Sequence, residues 1–140
     1  MLDMWQGVWN RIWGENRRTD SRKKLGRKGE RLARNYLAKR GFRCLKRNYT
    51  TKGGEIDLIM RQAKTMVFVE VKTRRSEDFA AGEEAVNFRK QKHMIAAARY
   101  FLQVHDLFGR PCRFDVVVVV IPEKGRESIR HYENAFRYTY

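Results

Sequence analysis

The stretch GEIDLIMRQAKTMVFVEVK, residues 54–72, decides the fold. It reads as two strands, Glu55–Met60 and Met66–Thr73, joined by a short polar loop. Side chains alternate along a strand. Phe68, Glu70 and Lys72 therefore share one face of the second strand, and Val67, Val69 and Val71 the other. On the first strand, Glu55, Asp57 and Ile59 are expected on one face and Ile56, Leu58 and Met60 on the other. A two-residue loop at Ala63 and Lys64 would set Asp57 opposite Glu70 and Glu55 opposite Lys72. Neither residue is a favoured turn former, however. A four-residue loop, Arg61 to Lys64, would instead set Glu55 opposite Glu70. Either register collects acids on one face, because directly opposed residues point the same way.

Outward from this hairpin, the apolar spacing of Leu32, Ala33, Tyr36 and Leu37 predicts a helix over Leu25–Arg40, stopped by Gly41. Phe42–Tyr49 reads as a strand, and the Gly53-Gly54 pair marks the turn that follows. Ala85–Phe108 reads as a long helix with an apolar stripe of Val86, Met94, Ala97, Phe101, Val104 and Phe108. Five consecutive valines, Val116–Val120, predict a strand buried on both faces within Arg113–Ile121. Ser128–Tyr132 is expected as a last edge strand. Helix, three strands, helix, strand, strand is the order of an α/β sandwich on a mixed sheet. Trp5, Trp9 and Trp13 fall at helical spacing before a basic linker, Asn16–Lys24. The chain is thus expected as a Trp-rich extension and linker, residues 1–23, followed by one domain, residues 24–140. The Trp face either packs on the domain or docks a partner or a membrane surface.

The chain has 140 residues, 42% hydrophobic and 12% aromatic, enough for one cored domain. Its net charge is +15. Residues 1–53 hold 16 Lys and Arg against 4 Asp and Glu, so the first third carries +12 of it. Such a field attracts polyanions through released counterions, with nucleic acid the leading partner and an anionic membrane second. Cys44 and Cys112 are far apart in sequence, which supports neither a zinc site nor a disulfide framework and fits reduced thiols in the cytoplasm. No run approaches the length of a membrane span, and the first residues lack the pattern of a signal peptide. There is no Ser-His-Asp arrangement for acyl transfer and no Gly-rich phosphate loop, so NTP use is unsupported.

Clustered, partly desolvated carboxylates repel each other, and a divalent cation with oxygen ligands offsets that repulsion. Mg²⁺ accepts one or two carboxylates and completes its shell with water. Asp57 and Glu70 are the candidate ligands for Mg²⁺ or Mn²⁺, with Lys72 placed to position water or neutralise charge. An ordinary ion-pair network on a solvated sheet face explains the same residues without a metal.

Gly54-Glu55-Ile56-Asp57-Leu58-Ile59 and Phe68-Val69-Glu70-Val71-Lys72 resemble the PD-(D/E)XK nuclease pattern, Asp-x(12)-Glu-x-Lys. The chain resembles more closely the YraN family of bacterial proteins. That family's sequences carry GEIDLI, FVEVK and RFDVV, the last matched by Arg113–Val117, and open on Gly-x-x-Gly-Glu, matched by Gly26–Glu30. The match runs from about Leu25 to Phe136 and leaves out the Trp-rich start. The resemblance implies a restriction-endonuclease-like three-layer sandwich, related to archaeal Holliday-junction resolvases. By the same resemblance Asp57 and Glu70 hold the metal, Lys72 is the catalytic lysine, and Glu30 is an acid of the first helix that helps hold the metal. A salt bridge to Arg34 is the plain alternative for Glu30. Glu55 is a secondary candidate. Asp115, at the start of a buried strand, is expected to partner an arginine or backbone amides.

Lys90 falls within the apolar stripe of the second helix. Either it snorkels, or, with Gln91, it leans toward the acids and touches a phosphate. Arg27, Lys28, Lys23 and Lys24 are the further candidates for nucleic-acid contact. Two functions compete: a metal-dependent endonuclease acting on DNA, including branched DNA, and a non-catalytic nucleic-acid or protein-binding module that keeps the nuclease fold. A homodimer is compatible with either.

Overall fold

A computed structural model of the chain describes residues 15–76 and 87–137. Among the described residues seven elements follow one another: α1 (Glu15–Ala38), β1 (Phe42–Thr50), β2 (Glu55–Gln62), β3 (Thr65–Arg74), α2 (Phe88–Val104), β4 (Cys112–Val120) and β5 (Ser128–Phe136). The five strands form one sheet in the order β1-β2-β3-β4-β5. Only the β3–β4 pair is parallel. A parallel pair needs a crossover, and α2 lies in that connection. The mixed α/β sandwich expected from the sequence is the fold observed.

The two helices cover opposite faces. Beneath α2, Met94, Ala97, Ala98 and Phe101 pack on Ile56, Ile59, Phe68, Phe114 and Val116. Beneath α1, Ala33 and Leu37 pack on Leu58, Met60, Val67, Val69, Val117 and Val119. The valine run of β4 thus feeds both layers, as a strand covered on each side must. Aromatic edges lock the α2 layer. Phe101 meets Phe68 and Tyr49 edge-on at 6.2 and 5.4 Å, and Phe114 stacks on Phe136 at 4.8 Å.

Several expectations are corrected. Asn16–Lys24 is not a linker but the first part of α1. Its Arg and Lys residues are good helix formers and no proline or glycine interrupts it. α2 ends at Val104, so Val104 and Phe108 are exposed rather than in the inner stripe, and Leu102 is buried instead. β5 runs four residues past Tyr132. Alternation breaks in β2, where Ile56 joins Ile59 under α2 while Leu58 lies under α1. The Trp5/Trp9/Trp13 face and the first residues expected in the second helix lie outside the described residues.

The β2–β3 register is that of the two-residue loop. Gln62 pairs with Thr65, and the ladder runs to Leu58 opposite Val69. Ala63 makes the turn with φ 51°, in the left-handed region. That conformation costs a residue with a Cβ about 1 kcal/mol. Two glycines let elements close in. A Cβ on Gly29 of α1 would collide with Thr73 Oγ1 of β3, and one on Gly54 with the backbone oxygen of His93 in α2. Ala63→Gly should therefore raise the melting temperature by roughly 2–6 °C. Gly54→Ala should lower it, since backbone cannot swing aside as a side chain can. Circular dichroism melts of the two variants check both signs, and an unchanged Gly54→Ala melt would show that the turn and α2 do not need this approach.

Candidate functional site

The site forms where the β2–β3 ladder stops. Past Leu58 and Val69 the two strands no longer pair. The next N–H that would need a partner, that of Val71, donates to Asp57 Oδ2 at 2.8 Å. A carboxylate thus takes the place of a backbone carbonyl and is carried in between the strands. Glu70 lies beside it with 4% of its surface exposed. Lys72 Nζ, two residues along β3, is 3.4 Å from Glu70 Oε1. Lys90 Nζ reaches from α2 to 3.7 Å from Glu70 Oε2. Lys90 therefore leans toward the acids rather than snorkelling away. Its helix is set there by Asn87, whose side chain caps the first turn by accepting from the Lys90 N–H at 2.9 Å.

Asp57 is held far from its ordinary titration. Burial raises its pKa from 3.8 to about 7, and the negative charge of Glu70 adds to the rise. The Val71 N–H and the charge of Lys90 oppose it without prevailing. Glu70 Oε2 is buried and accepts no hydrogen bond among the described residues. An acceptor left so costs the site free energy.

Glu30 comes to the same place from α1. Burial raises its pKa, and the nearby Asp57 raises it further. The Asn48 side chain, rather than Arg34, is its hydrogen-bonding partner. Glu30, Asp57 and Glu70 together line one recess of about 800 Å³ with Gly26, Arg74 and Arg75. Glu55 is exposed at the start of β2, close enough for its charge to act on Glu30. Among the described residues, no three or more His, Cys, Asp and Glu cluster closely enough to hold a metal ion by themselves.

The other expected residues scatter around this recess. Arg27, Lys24 and Lys28 line an adjoining groove, and Lys28 is tied to Glu127 at 3.0 Å. Lys23 is exposed on the same helix. Gln91 faces a different groove, with Phe88 and Lys92. Asp115 is the expected structural acid. Burial opposes its ionisation, yet hydrogen bonds from His131, Arg113 and the Asn134 N–H bring its pKa below the ordinary range. Sequence reading missed Arg74, Arg75 and Asn48. Arg74 and Arg75 lie just beyond the quoted motif, and their only sequence signal was charge.

A carboxyl whose folded pKa is raised supports the fold fully below its unfolded value and loses that support as pH rises through its folded value. For Asp57 the window runs from 3.8 to about 7. Without added divalent metal, Asp57→Asn should melt at a higher temperature than wild type at pH 8, by at most about 4 kcal/mol of stability. The difference should vanish near pH 3, because an Asn oxygen can still accept from Val71. Melting curves from pH 3 to 8 check this, and a parallel offset at every pH would refute it.

Known proteins give this geometry a family. Residues 29–119 match the Uncharacterised protein family UPF0102. The chain is similar to a UPF0102 protein of Pelotomaculum thermopropionicum, 40% identical over 118 residues, covering 84% of this chain and 98% of that one. It is similar to one of Alkaliphilus metalliredigens, 44% identical over 115 residues, 81% of this chain and 98% of the other. A third, from Caldicellulosiruptor bescii, is 46% identical over 104 residues, 74% and 87% of the two chains. The matched span begins at the glycine that meets Thr73 and holds Glu30, Asp57, Glu70, Lys72 and Lys90. The chain belongs to the UPF0102 family, the YraN family whose motifs its sequence carries.

Proposed function

We propose that this protein is a metal-dependent nuclease that hydrolyses phosphodiester bonds in nucleic acid, with branched DNA among its substrates. The observation that carries the reading is the pair of half-buried Asp57 and buried Glu70. One oxygen of that pair lacks any hydrogen bond, the pair has a lysine on either side, and it opens on a basic surface. The resemblance to PD-(D/E)XK nucleases points the same way.

The donor set suits Mg²⁺ or Mn²⁺. Asp57 and Glu70 would hold the ion, with Glu30 at the rim of the same recess, and two carboxylates suffice when water and substrate phosphate complete the shell. When bound, such an ion lowers the pKa of a coordinated water and stabilises charge on a phosphoryl oxygen. Lys72 acts on the substrate directly. Its ammonium, free to turn from Glu70 toward an entering phosphate, neutralises the charge that grows there. Lys90 balances the carboxylate from the other side and sits where a second phosphate oxygen would pass. The Val71 N–H fixes Asp57 in place, so no reorganisation is needed when substrate arrives.

A second reading has its own observation. Two ammonium groups already face Glu70, which balances its charge from within. A binding module that kept the nuclease fold would look the same, and it would neither cut nor take up metal.

Labelled linear, flapped and four-way DNA, incubated with Mg²⁺ or Mn²⁺, should be cleaved by wild type. Glu70→Gln and Lys72→Met should each lose roughly 10²-fold or more. Glu70→Gln should bind DNA as tightly as wild type or more so, because one negative charge facing phosphate is gone. Calorimetry with Mn²⁺ should give heat that Asp57→Asn abolishes. Absence of both cleavage and Asp57-dependent heat in the wild type would leave the binding module.

A further inference from the structure

Beside the acid recess runs a second groove that Asp57 and Glu70 do not line. Arg27, Arg31 and Arg34 line it from α1, Arg47 and Asn48 from β1, and the buried Leu58 forms its floor. Its volume is about 430 Å³. Glu30 borders both this groove and the recess, so the two adjoin at that side chain. The residues it takes from α1 span Lys24 to Arg34, about 15 Å of helix.

We propose that this groove is the track for an unpaired nucleic-acid strand leaving the acid recess, held through its phosphates and not through its bases. The assignment rests on reading the recess as a phosphodiester site. Three features support it. Arginines on one helical face recur every three to four residues, which lays cations in a row rather than a point. At the axial step of a stacked strand, about 3.4 Å, 15 Å meets up to about four phosphates, and fewer when the strand is extended. No aromatic side chain is among the described lining residues, so bases have nothing to stack on. The amide of Asn48, the one uncharged polar side chain there, is engaged by Glu30. Binding should therefore be indifferent to sequence. An unpaired strand fits better than a duplex because Glu70, on the recess that shares Glu30 with the groove, is only 4% exposed, and a single strand bends into such a site more readily than a stiff duplex.

The opposite side of the molecule supplies the control. There α2 and the chain after β5 present Arg89, Lys92 and Arg137, equally cationic and exposed. The two triple variants are Arg27→Gln/Arg31→Gln/Arg47→Gln and Arg89→Gln/Lys92→Gln/Arg137→Gln. All six residues are exposed, and matching melts establish that both variants fold. Fluorescence anisotropy with a mixed-sequence single-stranded oligonucleotide, without divalent metal, gives the slope of log K against log salt. The groove variant should lose about 2 from the slope, at roughly 0.7 per phosphate contact, and the control nearly nothing. Equal losses in the two variants would overturn the track, as would a loss confined to duplex DNA. A loss seen with phosphatidylserine vesicles but not with oligonucleotide would assign the groove to a membrane surface and overturn it too. Cleavage is a separate arm: wild type that binds through the groove yet with Mn²⁺ neither cuts nor gives Asp57-dependent heat would keep the track and sink the nuclease.

Discussion

One hydrogen bond organises the site: the Val71 N–H to the Asp57 carboxylate. An open end of a two-stranded ladder leaves backbone donors that must find partners. Here the partner is a side chain from the facing strand. That choice pulls a carboxylate inward against its tendency to stay hydrated, and it brings it against Glu70. Burial and mutual repulsion then hold Asp57 protonated over much of the range in which free aspartate is charged. The break in alternation around Ile56 belongs to the same event. If β2 kept a strict pleat to its first residue, Ile56 would face α1 beside Leu58 instead of joining Ile59 under α2.

A second carboxylate shows what the first one lacks. Asp115 is fully buried, yet Arg113, His131 and the Asn134 N–H all donate to it. Arg113 also reaches Glu133 at 3.5 Å. With every oxygen satisfied, its charge is stable, and it ties β4 to β5 where their register shifts between Phe114 and Val116. The contrast is instructive. A satisfied buried acid holds structure together, whereas Glu70, left with an acceptor unfilled, stays chemically available.

Much of this was legible in the sequence. The hairpin followed from period-2 patterning, which left two registers open until the Gln62–Thr65 pairing chose the shorter loop, and the valine run announced a strand covered on both sides. Lys90 betrayed itself as a cation inside an apolar stripe. Other features were out of reach because they depend on where elements meet. Nothing local says that Gly29 must clear Thr73, or that Asn48 turns to Glu30. The length of α1 was missed for a different reason. A run so dense in Arg and Lys has no apolar period to read, and helix propensity alone is a weak signal. Ala63 succeeded as a turn residue against its preferences because the paired strands on each side dictate the register.

The basic face of β1 has one more consequence. Among the described strands β1 is an outer one, with no strand paired to its far side, and such an edge invites another chain to add on. Exposed Arg43, Lys46 and Arg47 stand along it, and the register slips between Cys44 and Lys46. Charge and a bulge are the means by which sheets deter that addition. The cations of this strand therefore oppose edge-to-edge addition of another chain along β1, whatever else they bind. A variant that neutralised them all would trade solubility for a sticky border, and the polyanion that screens them would leave the bulge as the chief remaining guard against stacking edge to edge.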